Sequence, residues 1–144
     1  MKLDSISRHI LQLLQENARV SNAEIARNVG VTSPAVAERI RKMEDAGILR
    51  KYTAIVSHYE MGYQLRALIT LRSFMGRLKA FLEKVKTFDE VVNCYRITGN
   101  ENIVMEVVLN NQKHLEEFID QLISYGETKT QIILSHVVEH KAIG

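Results

Sequence analysis

Gly30 divides the stretch SNAEIARNVGVTSPAVAERIRKMEDA (residues 21–46) into two segments of helical periodicity. Only glycine takes positive φ without steric cost, so a helix running into it stops there and a sharp turn follows. Upstream, Ser21 is placed as an N-cap with Glu24 three residues on, the spacing of a capping box. Ala23, Ile25, Ala26 and Val29 then supply small and apolar side chains. Downstream, Thr32 can cap a second helix with Pro34 in its first turn, where a missing N–H costs little. That helix carries Val36, Ile40 and Met43 at i, i+4, i+7, a one-sided apolar stripe. Ser33, Ala37, Glu38, Arg41 and Lys42 fall on or near the open side. Small polar residues opening the second helix, with basic ones further along, suit a helix-turn-helix that lays this helix in a DNA major groove. A plain packing pair has the same periodicity, and periodicity alone leaves both readings open.

Leu3 to Asn17 reads as a preceding helix with Leu3, Ile6, Ile10, Leu13 and Leu14 as its stripe and Asp4 placed to cap it. Three helices over residues 4–46 would share a core of Ile6, Ile10, Leu13, Leu14, Ile25, Val29, Val36, Ile40 and Met43. A unit of residues 1–50 has little reserve stability alone. After Gly47 the run ILRKYTAIVS reads as extended, either a small wing or the start of a linker strand. Residues 51–62 form the linker and hinge, with Gly62 as its punctuation.

From Tyr63 the rhythm changes. Tyr63–Ser73, Glu90–Ile97, Asn102–Leu109 and Thr128–His140 read as strands, and Arg77–Lys86 and Asn111–Ser124 as amphipathic helices. The order β-α-β-β-α-β over residues 63–144 is the ferredoxin-like split arrangement, so the fold class is α+β. Helices on one side bury only one sheet face. Runs such as Leu68-Ile69-Thr70-Leu71 place apolar residues on both faces, which makes the second face a self-association surface.

Charge and chemistry narrow the function. Residues 1–57 carry nine Lys/Arg against six Asp/Glu, a balance of +3; residues 58–144 carry ten against eleven, a balance of −1. The basic excess lies with the helix-turn-helix, and two copies pooling it would hold phosphates better than one. Ser33 and the backbone N–H groups beside Pro34 can face a phosphate or serve the helix cap alone. Arg39 borders the buried stripe and can bind phosphate or pair with Asp45 or Glu24. Glu38 can accept from cytosine N4, and Arg41 and Lys42 can reach guanine edges or backbone oxygens. Arg50 and Lys51 can follow onto the phosphate backbone. The candidate DNA contacts are therefore Thr32, Ser33, Pro34, Ala37, Glu38, Arg39, Arg41, Lys42, Arg50 and Lys51.

Other chemistry is poorly served. Cys94 is the only cysteine, so no intrachain disulfide is possible, and its strand-like surroundings suit a buried, inert thiol. His136 and His140 share one face of a predicted strand but lie about 13 Å apart, too far to share a metal. No glycine-rich phosphate loop or nucleophile–base pattern occurs, so no catalytic residue, metal or cofactor is expected. The start MKLDSISRHI has no apolar signal core and no run approaches 18 apolar residues; a cytoplasmic protein without membrane contact is expected.

The residues also carry a resemblance over essentially the whole chain. It runs from Leu3-Asp4 and Ile10-Leu11 through Asn17-Ala18-Arg19 and the Ala26-Arg27-x-Val29-Gly30 turn. It is strongest in Ser33-Pro34-Ala35-Val36-x-x-Arg39-Ile40-x-Lys42-Met43-Glu44-x-x-Gly47-Ile48-Leu49, and continues through Tyr52, Gly62 and Cys94-Tyr95-x-Ile97-Thr98-Gly99. With these the chain resembles the Lrp/AsnC (feast/famine) family of transcription regulators. The resemblance implies a winged helix-turn-helix joined by a strand-bearing linker to a ferredoxin-like effector and oligomerisation domain. It also implies dimers that assemble further, up to octamers, double-stranded DNA as partner, and an amino-acid effector held near the turn Gly99, Asn100, Glu101 and Asn102. Two positions depart from the pattern: Ser7 stands where relatives usually carry an acid, and Asn102 where they usually carry Asp. Asn102 brings no charge for a ligand's ammonium group, and Glu101 next to it points to the other face of an extended segment. The rival reading is a small-molecule sensor or enzyme whose N-terminal helices dock a protein, since a ferredoxin-like fold alone does not decide function.

Overall fold

The three caps written into the N-terminal sequence all form. In the computed structural model, which describes residues 1–144, α1 (Ser5–Glu16) starts where Asp4 accepts from the Ser7 N–H at 2.8 Å. α2 (Asn22–Val29) starts where Ser21 Oγ accepts from the Glu24 N–H, and α3 (Ser33–Asp45) where Thr32 Oγ1 accepts from the Ala35 N–H. Each bond satisfies one of the amides that a helix start leaves without an intrahelical partner. Gly30 ends α2 at φ +75°, and its N–H donates to the Ala26 carbonyl. The three helices bury Ile10, Leu14, Ile25, Ala26, Val36, Ile40 and Met43 in one cluster, with Ile6, Leu13 and Val29 packed against it.

The chain falls into two compact units, residues 1–55 with 137–144, and residues 56–136. In the first, Gln15 binds the Ile143 backbone twice, accepting from its N–H at 3.0 Å and donating to its carbonyl at 2.9 Å. Arg50–Ser57 forms no strand, and no second strand stands beside it to complete a wing. Backbone groups there lack a ladder partner within the chain, and Tyr52, Ile55 and Val56 are exposed.

The second unit is a four-stranded antiparallel sheet in the order β2-β3-β1-β4, built from β1 (Leu65–Ser73), β2 (Val91–Arg96), β3 (Ile103–Leu109) and β4 (Gly126–Ile132). α4 (Leu78–Lys84), extended by a 3-10 turn at Val85–Thr87, and α5 (Gln112–Leu122) supply the two crossings. Alternation along the strands sends Ala67, Ile69, Leu71, Ile103, Met105, Val107 and Leu109 into a core closed by Phe81, Val85, Phe88, Phe118 and Leu122. Leu68, Val104, Val108 and Tyr95 fall on the other face by the same alternation.

The expected last strand, Thr128–His140, is shorter. β4 begins earlier and stops at Ile132, which faces Ala67; one further bond joins the Ile133 N–H to the Arg66 carbonyl. β4 has only β1 to pair with, and β1 itself begins at Leu65, opposite Leu134 in this register, so residues beyond 134 have no ladder to join. His136 and His140 therefore do not share a strand face.

Gly126 shows how tightly β4 meets β1. A Cβ there would collide with the backbone carbonyl of Arg72. Gly126→Ala should cost about 1–3 kcal/mol, the usual range for forcing atoms into a packed site, read as a lower urea midpoint. An unchanged midpoint would show that this strand pair yields freely.

Candidate nucleic-acid interface and effector turn

α3 turns Val36, Ile40 and Met43 into its own unit and leaves Pro34, Ala37, Glu38, Arg41, Lys42 and Asp45 exposed. Thr32 and Ser33 stand at its start, Thr32 exposed and Ser33 half-buried, and Arg50 and Lys51 are exposed beyond its end. Nothing within the helical unit covers the outward side of α3.

Arg39 has another task. Its Nη1 donates to both carboxylate oxygens of Asp4, at 2.9 and 2.8 Å, and to Ser7 Oγ at 3.0 Å. The partners expected from the sequence, Asp45 or Glu24, are not the ones it takes. Asp45 lies six residues on, and only residues three or four apart are neighbours on a helix surface. Asp45 pairs with Arg41 instead, while Arg39 crosses to the start of α1. Ser7 is 1 % exposed, and its hydroxyl completes this bridge at a position where the resemblance leads one to expect an acid. Arg39, with Asp4's cap bond to the Ser7 N–H, holds the Asp4 carboxyl down from 3.8 to about 2.

Arg41 is fully engaged on the outward face. Nε and Nη2 donate to the two oxygens of Glu38 at 3.1 and 2.7 Å, and Nη1 donates to Asp45 at 2.7 Å. These bonds push Arg41 up and Glu38 down in pKa, led in each case by the Arg41–Glu38 hydrogen bond. Lys42 is exposed beside them and its charge also acts on Glu38.

The turn Gly99–Asn102 lies between the ends of β2 and β3. Gly99 and Asn100 are exposed, whereas Glu101 and Asn102 are half-buried. Asn102 works as a clip: Oδ1 accepts from the Ser73 N–H at 3.0 Å and Nδ2 donates to Ser73 Oγ at 2.9 Å. Its backbone N–H reaches the Leu71 carbonyl and its carbonyl accepts from Ile97. Glu101 meets Lys129 of β4 at 2.7 Å, and that hydrogen bond lowers its pKa. The turn thus brings Glu101 beside Lys129 and ties Asn102 to the end of β1. Nothing local in the sequence marks Ser73 or Lys129, because strand pairing alone brings them here.

Elsewhere the chemistry is sparse. Cys94 is half-buried rather than buried, and the burial it has raises its thiol pKa. No group of three or more His, Cys, Asp and Glu side chains converges, and no helix is long and apolar enough to cross a membrane.

Comparison with known proteins decides the family. Residues 3–44 match the AsnC-type helix-turn-helix domain, and residues 66–143 match the Lrp/AsnC ligand binding domain. The chain belongs to the Lrp/AsnC family. The HTH-type transcriptional regulator LrpB of Bacillus subtilis is 31% identical over 140 residues, spanning 97% of this chain and 94% of that protein. The structure of LrpC from the same organism superposes with a TM-score of 0.92 at 28% identity, covering 96% of this chain and 99% of that one. A transcriptional regulator of Neisseria meningitidis, solved as an L-Met complex, gives a TM-score of 0.94 at 26% identity, covering 99% and 97%. As an Lrp/AsnC member the chain is a DNA-binding transcriptional regulator with a ligand-binding domain, and it is not an enzyme. The docking-module reading falls with that.

The Asp4 bridge carries a pH signature in this Lrp/AsnC protein. A folded pKa below the unfolded one stabilises the protein above the unfolded value, and the gain is lost as pH falls through the folded one. The window is therefore pH 3.8 down to about 2. Asp4→Asn retains a capping oxygen but should flatten the acid limb of unfolding across this window. An acid limb identical to the parent's would show that the bridge contributes nothing.

Proposed function

We propose that the outward side of α3 reads a DNA major groove, with Thr32, Ser33, Pro34, Ala37, Glu38, Arg41 and Lys42 as its contacts. Arg50 and Lys51 follow onto the phosphate backbone, and Arg39 sets the angle of α3 through Asp4. The observation that carries this reading is the outward side of α3, left open because the buried stripe is satisfied within its own three-helix unit. Residues 1–50 bind DNA, 51–62 link, and 63–144 bind effector and oligomerise in a cytoplasmic protein. The dimer forms over the open sheet face that includes Leu68, Val104, Val108 and Tyr95, and dimers associate further, up to an octamer. Pooling two helix-turn-helix units offsets the small basic excess of one.

The effector in this proposal is an amino acid at the Gly99–Asn102 turn, supported by the L-Met complex of the Neisseria relative. With Asn102 occupied by Ser73, Glu101 and Lys129 supply one carboxylate and one ammonium, the pair of charges a zwitterion matches. Such a ligand acts only through its difference in affinity between assemblies.

Anisotropy titrations with duplex DNA over a range of salt test the first part. Affinity should fall steeply with salt, and Lys42→Ala should reduce the slope of log K against log salt by about one. Salt-insensitive binding, or no binding, contradicts it. For the second part, mass in solution should shift with one compound of an amino-acid panel, and Glu101→Gln should weaken that response. A panel without effect on either protein contradicts the effector assignment and leaves the DNA reading standing.

A further inference from the structure

α3 is an unusual recognition helix in its charge. Ser33–Asp45 carries three bases, Arg39, Arg41 and Lys42, and three acids, Glu38, Glu44 and Asp45. Arg39 is committed to Asp4. Of the bases still on the outward side, Arg41 has its guanidinium taken at both edges: Glu38 grips the fork of Nε and Nη2, and Asp45 holds Nη1. A guanidinium reads guanine O6 and N7, or a phosphate, through such a fork. The geometry points to Glu38 and Asp45 as specificity-determining residues that hold Arg41 away from indifferent DNA and release it to the correct base step.

The competition can be followed group by group. All three side chains are more than half exposed, so these pairs stand in water and each opens at little cost. If Arg41 turns to a phosphate of arbitrary sequence, it gains one carboxylate-like partner. It also leaves Glu38 and Asp45 without their cation, close to a surface of like charge, which opposes binding. A step that offers a guanine edge to Arg41 and a cytosine amino group to Glu38 removes the conflict, because each side chain finds a complementary group. The discrimination thus comes from a penalty on wrong sequences as much as from a gain on the right one. Glu44 lies on the flank of α3 and pairs with neither arginine by hydrogen bond, so it supplies a matched control for charge alone. The inference rests on the reading that the outward side of α3 meets DNA.

The test uses the full chain and two duplexes: one of mixed sequence, and one enriched by the parent protein from a random library. E38Q/D45N should bind the mixed duplex roughly tenfold tighter than the parent, with a correspondingly smaller preference for the enriched duplex. E44Q should leave that preference unchanged. Arg41→Ala should remove most of the preference for the enriched duplex in the parent and change it little in E38Q/D45N, a non-additivity that a merely helix-stabilising role for the pairs would not produce. The inference is overturned if E38Q/D45N keeps the parent's preference, if E44Q lowers it equally, or if Arg41→Ala has the same effect in both backgrounds. Failure of the parent to bind any duplex overturns both this inference and the reading of α3 beneath it.

Discussion

Burial of Val36, Ile40 and Met43 decides which side of α3 remains outside. The stripe is satisfied by the chain's own first and second helices, so the outward residues are not needed to close the core. Two local devices give that burial its direction. Gly30 lets the chain reverse at the end of α2, and the Thr32 cap starts α3 at a defined residue. The Arg39 bridge to Asp4 then joins the edge of α3 to the start of α1 across 35 residues of sequence. A helix held at its stripe, its start and its edge is pre-organised before any partner arrives, and ordering it costs nothing at the moment of binding.

Charge is distributed with the same economy. Of the three cations on α3, Arg39 is tied to structure and Arg41 to its own helix, which leaves Lys42 as the readily offered one. In the sheet domain, Asn102 spends its amide on Ser73, while Glu101 is paired with Lys129. In both places a residue that family likeness associates with a ligand is occupied by an internal partner, so any ligand taking it must exchange with that partner. Such exchanges cost little at exposed pairs and favour ligands able to replace every bond they break.

Much of this was legible in the sequence because it is local. The caps Asp4, Ser21 and Thr32, the stop at Gly30 and the stripes of the three helices depend on residues within one or two turns of each other. The β-α-β-β-α-β order was legible for the same reason, and the quoted motifs led to the family that the comparisons establish. What escaped depends on distant chain. Arg39 finds Asp4 because of the crossing of α1 and α3, which no spacing rule contains. β4 cannot run on to His140 because its neighbour β1 begins at Leu65, which this register sets opposite Leu134, so beyond that point there is no strand to pair with. Likewise the Asn102–Ser73 clip and the Gly126 approach to Arg72 exist only once strands are in register.

The central claim is that the exposed side of α3 is where DNA lies. Lysine footprinting tests it directly, by comparing acetylation rates of each lysine in the full chain with and without its enriched duplex. Lys42 and Lys51 should become strongly protected, while Lys79 of α4 and Lys113 of α5 should react at unchanged rates. Protection of Lys79 and Lys113 with Lys42 still freely acetylated would contradict it.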